Sequence, residues 1–282
     1  MALAEARGDV EIVAVDAMQV YRGMDIGTAK PTASDQAAVP HHTIDLVDPD
    51  QAFTVAAFQH EARGALADIE AAGHLAVLVA GTGLYLTAVV DDLQLPGEWP
   101  DLRTELEAEP DLADLHARLV ELDPIAAARI EPGNQRRLVR ALEVCLGSGL
   151  PFSSFGPGTN AYPPIATPQI GLRWPRDVLA ARIAERVRTM IERGLVAEVA
   201  GLLGRPGGLS RTARQALGYK ELIAVVEDGA PLDRAVEEIV LRTRQFAVRQ
   251  ERWFRRDPRI RWVDIVADPV AEVLPIVQEH IS

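Results

Sequence analysis

Along the first ninety residues the apolar positions switch between two periods. Glu11 to Asp16 is a short β-branched run closed by a carboxylate, which predicts a buried parallel strand. A loop rich in Gly, Thr and Pro follows. From 55 to 73 the apolar residues Val55, Phe58, Ala62, Leu66 and Ile69 recur at helical spacing and stop at Gly73, a suitable C-cap. Leu75 to Val79 predicts a second buried strand, and Gly81-Thr82-Gly83 turns from it into a helical stretch beginning at Leu84. Strand, helix, strand, glycine turn and helix in this order predict an α/β fold, whose ligands sit at the carboxyl ends of its strands. Asp16 and Thr82 both fall at such ends.

From about residue 93 the strand pattern ceases. Leu102 to Glu109, Leu112 to Leu122, Pro124 to Ile130 and Gln135 to Leu146 predict four short helices, and the Gly/Pro/Ser-rich stretch from Gly147 to Pro168 predicts a loop. Ile170 to Trp174 resumes the sheet. Helical stretches then cover 178–204, 211–228 and 231–256, and Arg261 to Val266 supplies a last strand. The predicted organisation is an α/β core, 1–92 and 165–282, carrying a helical insertion, 93–164. No internal repeat is visible.

Composition and charge sharpen this picture. The 282 residues are 48% apolar with a formal charge of −12, which at face value disfavours a nucleic-acid partner, because affinity for a phosphate backbone comes largely from Lys and Arg. The total hides an asymmetry. Residues 1–132 hold 24 acidic and 7 basic side chains, net −17, whereas 133–282 hold 17 and 22, net +5. Between Arg242 and Arg261 eight arginines face only Glu251 and Asp257, interleaved with Phe246, Trp253 and Phe254. This split reopens the possibility of an RNA-facing surface, although a solvated arginine-rich helix has the same composition. No run approaches the ~18 apolar residues of a membrane span, and no charged-then-apolar leader opens the chain. A single cysteine, Cys145, forms no internal disulfide, and a reducing cytoplasm is the expected location.

The densest unusual segment runs from Asp16 to Pro31. A strand-end carboxylate there serves as a general base or a Mg²⁺ ligand, or merely caps a turn. The segment also contains Lys30, one of two lysines in the protein. His41-His42 with Asp45 and Asp48 matches no zinc spacing and is expected to make structural hydrogen bonds. Gly81-Thr82-Gly83 offers backbone N–H groups and a hydroxyl to a ligand at a helix N-terminus. Arg136, Arg137 and Arg140 lie on adjoining faces of one helix, suited to phosphate contacts, with pairing to Glu131 or Glu143 as the competing role. Arg182 and Arg186, four residues apart, suit an anionic ligand, or ion pairs with Glu185 or another acidic neighbour.

Together, Asp16 to Pro31, Pro40 to Pro49, Ala80-Gly-Thr-Gly-Leu-Tyr85, Arg137 to Glu143, Gly218-Tyr-Lys-Glu221 and Thr243-Arg-Gln through Gln250 to Trp253-Phe-Arg255 resemble, in order, the motifs of the bacterial-type tRNA dimethylallyltransferase (tRNA isopentenyltransferase) family. The resemblance implies a P-loop-NTPase-like parallel sheet flanked by helices, with an α-helical, tRNA-binding insertion. It implies transfer of a dimethylallyl group from its diphosphate to N6 of an adenosine beside the tRNA anticodon, with Mg²⁺ as cofactor and a monomer as the default state. By the same resemblance, Asp16 takes the proton from N6, with Thr82 near the amine. Asp16, Ala17, Met18, Gln19, Thr82 and Arg103 match tRNA-contacting positions. Arg136, Arg137, Leu138, Val139 and Arg140 match a helix gripping the anticodon stem-loop, and Arg182, with Arg186, matches the diphosphate site. A free-nucleotide prenyltransferase and a non-catalytic tRNA-binding remnant are the alternatives.

One departure is serious. The family's first strand and its phosphate-binding loop, Gly-x-x-x-x-Gly-Lys-[Ser/Thr], have no counterpart in this sequence. Met1 to Arg7 resembles the tail of the helix that follows such a loop. The expected consequence is two strands with unpaired edges, the open position falling beside the strand that ends at Asp16. A chain of this sequence is expected to be less active and less stable than an N-terminally extended form.

Overall fold

The computed structural model describes residues 1–281. In chain order the elements are α1 (Ala2–Arg7), β1 (Val10–Val15), α2 (Ala33–Ala38), β2 (His41–His42), α3 (Val55–Ala71), β3 (Leu75–Ala80) and α4 (Gly83–Val90). There follow α5 (Pro100–Glu107), α6 (Leu112–Leu122), α7 (Pro124–Arg129) and α8 (Gln135–Ser148). The remainder is β4 (Gln169–Arg173), α9 (Arg176–Glu192), α10 (Leu195–Leu203), α11 (Tyr219–Asp228), α12 (Leu232–Phe254), β5 (Ile260–Asp264) and α13 (Pro269–His280). The chain divides into two compact units. One comprises Met1–Val90 with the chain from Pro164 onward, and the other is Asp91–Pro163.

The larger unit is a parallel α/β structure. β1 pairs in parallel with β2 on one side and with β3 on the other, from Val10 opposite Leu75 to Val15 opposite Ala80. β4 and β5 form a second parallel pair, from Gln169 opposite Ile260 to Arg173 opposite Asp264. Val13 and Val15 of β1 are fully buried with Phe58 and Ala62 of α3 and with Val199, Leu202 and Leu222 of α10 and α11. The open position is not beside the strand that ends at Asp16, as the sequence suggested: β1 is paired on both edges, because β3 fills the place next to it. The outer edges belong instead to β2 and β3 in the three-stranded sheet and to β4 and β5 in the two-stranded one. Val79 on β3 is 57% exposed and Leu172 on β4 is 49% exposed, whereas strands of a parallel sheet are ordinarily covered on both faces.

Two predicted helices are shorter than their apolar pattern. The stretch 178–204 divides into α9 and α10 because Gly194 takes a left-handed φ of 97° between them. The stretch 211–228 begins its α-helix only at Tyr219, after Gly218 at φ 89°. α2, β2 and α13 had no counterpart in the reading of the pattern. The local signals of the two helices are caps: Thr32 with Asp35 in a capping box, and Asp268 ahead of Pro269.

The smaller unit is helical. Leu115 and Leu119 of α6 pack against Leu138 and Leu142 of α8, all fully buried, with Ala126 and Ala127 of α7 beside them. Asp111, Asp123 and Asn134 cap the starts of α6, α7 and α8. Among the described residues no helix is long and apolar enough to cross a membrane.

Candidate active site

The carboxyl ends of β1 and β3 bring the two strand-end residues together. Asp16 follows β1, and its Oδ1 accepts hydrogen bonds from the N–H groups of Met18 (2.7 Å) and Gln19 (3.2 Å). Both donors lie in the turn that leaves the strand, so they aim the carboxylate. Thr82 follows β3, and its hydroxyl oxygen accepts from the N–H of Ala17 at 3.2 Å. The amides of Gly81 and Thr82 both donate to the Val15 carbonyl, which continues the pairing into the glycine turn. Asp16 Oδ2 lies 3.1 Å from where a Cβ on Gly81 would sit. A side chain at 81 would crowd the carboxylate.

Two residues on one face of α12 close over this turn. Gln250 Nε2 donates to the Gly81 carbonyl at 2.8 Å, and the Trp253 indole presses on Gly83 so closely that any Cβ there would overlap it. Both lie within a motif quoted above, yet nothing local in the sequence assigns them a role, since their partners are about 170 residues away. Gly83→Ala tests the contact. Helix propensity favours the change by about 1 kcal/mol, but overpacking costs about 1–3 kcal/mol. The expected net result is a melting temperature lower by several degrees, read by thermal unfolding.

The surroundings are part apolar and part cationic. Tyr85 lies against Phe58 with ring centroids 4.7 Å apart, and burial, reinforced by the Tyr21 and Asp16 charges, pushes its phenol up to about 12. It therefore stays neutral at working pH. Arg186 of α9 is exposed to solvent. Its pKa is lowered by desolvation, an effect partly offset by the Asp16 carboxylate. Arg182, one turn earlier, places its guanidinium over Trp174 at 4.4 Å from the ring centroid. Asp16 and Thr82 thus meet at adjoining strand ends, and Arg186 lies near enough to feel the Asp16 charge.

In the helical unit the sequence-predicted arginines divide. Arg136 and Arg137 are exposed on α8. Arg103 donates two hydrogen bonds to Glu143 (2.9 and 3.0 Å), and Arg140 pairs with the same carboxylate at 3.1 Å while donating to the Pro96 carbonyl. Leu138 and Val139 are buried in the helical core. The histidine pair makes hydrogen bonds: His42 Nε2 meets Glu11 Oε2 at 2.5 Å, His41 Nδ1 bonds the Val39 carbonyl, and His74 Nδ1 meets the other Glu11 oxygen at 2.6 Å.

A carboxylate and a hydroxyl meet at the carboxyl ends of parallel strands, the place where α/β enzymes bind their ligands. Comparison narrows that class. The chain belongs to the IPP transferase family, whose model matches residues 19–257. Among its relatives is a tRNA dimethylallyltransferase of Kineococcus radiotolerans, 47% identical over 277 residues that cover 94% of this chain and 87% of the relative. Another, from Paenarthrobacter aurescens, is 48% identical over 260 residues, covering 90% and 82%. The crystal structure of a full-length tRNA isopentenylpyrophosphate transferase from Bacillus halodurans superposes with a TM-score of 0.70 at 38% identity, covering 99% of this chain and 90% of that one. A eukaryotic dimethylallyltransferase solved acting on tRNA shares the fold, with a TM-score of 0.79 at 24% identity, covering 99% and 72%.

Proposed function

We propose that the chain transfers a dimethylallyl group from dimethylallyl diphosphate to N6 of the adenosine beside the anticodon of tRNA. The observation that carries this reading is Asp16: one oxygen is held by two backbone N–H groups, with Thr82 at the adjoining strand end and Arg186 near enough to feel its charge. As the N6 lone pair bonds to the allylic carbon, the carbon–oxygen bond breaks and its electron pair leaves on the diphosphate. Asp16 takes the proton from N6. Arg182 and Arg186 meet the negative charge of the leaving group. Tyr85 and Trp253 supply apolar surface that keeps water from the cation-like carbon, and the target base leaves its stack to reach the site. In the helical unit, the exposed Arg136 and Arg137 are cations available to the anticodon stem-loop.

Mg²⁺ belongs to this reading with a limited protein donor set. Among the described residues no group of three or more His, Cys, Asp or Glu side chains converges on one point, but Mg²⁺ commonly takes one or two carboxylates and completes its shell with phosphate oxygens and water. With Asp16 kept as the base, the ion would be held mainly by diphosphate oxygens and water, and it would supply neutralisation of diphosphate charge. We read the working form as a cytoplasmic monomer.

Transfer of label from dimethylallyl diphosphate to tRNA tests the proposal, with AMP as a competing acceptor. Prenylated tRNA is the expected product, and transfer to AMP alone overturns it. Arg182→Ala combined with Arg186→Ala is expected to raise KM for dimethylallyl diphosphate at least tenfold, on the scale of charge-assisted hydrogen bonds, and to leave tRNA affinity within about twofold.

A further inference from the structure

Lys30 has no role in the chemistry above, yet it is the most fully engaged side chain of the loop that leaves Asp16. The side chain is 2% exposed. Its ammonium donates to Asp45 Oδ1 (2.6 Å), Asp25 Oδ1 (2.7 Å) and the Tyr21 carbonyl (2.8 Å), which uses all three of its protons. The backbone around it is strained. Among the described non-glycine residues, positive φ occurs at Ala29 (49°), Thr43 (63°), Asp45 (53°) and Asp92 (50°). Ala29 precedes Lys30 in sequence, Asp45 is its ion-pair partner, and Thr43 is two residues before that partner. Such conformations persist only where surrounding contacts impose them, and they cluster at functional sites.

The strained residue Asp45 connects the ammonium to the candidate base. Asp45 N–H donates to the Gln19 carbonyl at 3.1 Å, and Leu46 and Val47 donate to Val20 at 2.8 and 3.1 Å. Gln19 in turn donates its own N–H to Asp16 Oδ1 and its side-chain amide to the Thr28 carbonyl. Direct contacts thus run unbroken from Lys30 through Asp45 and Gln19 to Asp16. From the other side Glu198 of α10 accepts the N–H groups of Asp25 (3.1 Å) and Ile26 (2.7 Å) and the Tyr219 hydroxyl (2.5 Å), so the loop is held at both margins.

We infer that Lys30 is a positioning residue for Asp16: through Asp45 and Gln19 it fixes the turn whose amides aim the carboxylate. The inference rests on the role proposed for Asp16. Lys30→Met removes the ammonium but leaves Asp25 and Asp45, 58% and 39% exposed, in reach of water, so the fold is expected to survive. Amide hydrogen exchange and single-turnover label transfer, measured on the full chain, test it together. In Lys30→Met the amides of Met18, Gln19 and Asp45 are expected to exchange at least tenfold faster, with those of β1 and α3 unchanged. The transfer rate is expected to fall at least thirtyfold, with KM for tRNA within twofold. Placed on Asp16→Asn, Lys30→Met is expected to cause no further loss, since groups acting as a unit are non-additive. Unchanged exchange at those three amides overturns the inference. So does uniform acceleration through β1 and α3, which marks a general stability role, and so does wild-type turnover in Lys30→Met. If the unsubstituted chain transfers nothing, the functional reading fails, while the exchange arm still decides whether Lys30 orders the Asp16 turn. Should Lys30→Met not fold, Asp45→Asn, which keeps its backbone N–H, carries the same comparison.

Discussion

Asp16→Asn is expected to lower single-turnover transfer of the dimethylallyl group about 10²- to 10⁴-fold, the range that a positioned general base contributes. The substitution is chosen for what it leaves intact. The asparagine carbonyl oxygen still accepts the N–H groups of Met18 and Gln19, as Asp16 Oδ1 does, so the turn and the Thr82 contact with Ala17 survive. What disappears is an oxygen able to take a proton. The KM for tRNA and the melting temperature are therefore expected to stay near those of the unsubstituted chain. Asp16→Ala, which also deletes the turn acceptor, is expected to lose stability as well as rate. If Asp16→Asn transfers label within threefold of the parent chain, the base lies elsewhere and Asp16 is only a turn cap.

The parts of this site that were legible in the sequence are those that local chemistry dictates. A β-branched run ending in a carboxylate became β1 and Asp16, and an apolar run ending in Gly-Thr-Gly became β3 and the turn holding Thr82. The α/β core and the helical insertion follow from the change of period near residue 93. Less visible was whatever depends on chain crossings. Nothing near Gln250 or Trp253 announces that they seal the Gly81–Gly83 turn. Nothing near Lys30 reveals that Asp45, fifteen residues on in a left-handed conformation, is its partner. The strand order was likewise opaque: β1 pairs with both β2 and β3, so the outer edges of that sheet lie on β2 and β3 and not on the strand that ends at Asp16. The arginines show a third limit. Spacing alone does not separate a phosphate contact from an ion pair, and Arg103 and Arg140 share Glu143 while Arg136 and Arg137 on the same helix as Arg140 remain exposed.

That shared carboxylate is where the helical unit is expected to be most vulnerable. Glu143 has no exposed side-chain area, accepts from the Trp99 N–H at 2.7 Å, and receives Arg103 and Arg140. It lies only shallowly under the two arginines, which are about one-third exposed. Burial alone raises its pKa, but hydrogen bonds from Arg103, Trp99 and Arg140 outweigh that and hold it below the ordinary 4.5. Removing one partner of a buried pair costs about 3–5 kcal/mol, and the shallow position sets the expectation for Glu143→Ala at the lower end, about 3 kcal/mol. The loss includes an uncompensated Arg103 and an unanswered Trp99 amide. Asp123 behaves alike: it is 1% exposed, and although desolvation opposes the shift, the amides of Ala126 and Ser153 lower its pKa below 3.8. Because both folded-state values are depressed, both contributions are complete above the unfolded values and fade as pH falls through the folded ones. The helical unit is therefore expected to keep its stability from neutrality to about pH 5 and to lose it progressively below about pH 4, with Glu143→Ala flattening that decline because one of the two titrating groups is gone. Denaturant unfolding of the parent chain and of Glu143→Ala, followed at Trp99 between pH 3 and pH 7, measures both effects. Equal stability at neutral pH would show that the arginines find water as readily as they find Glu143.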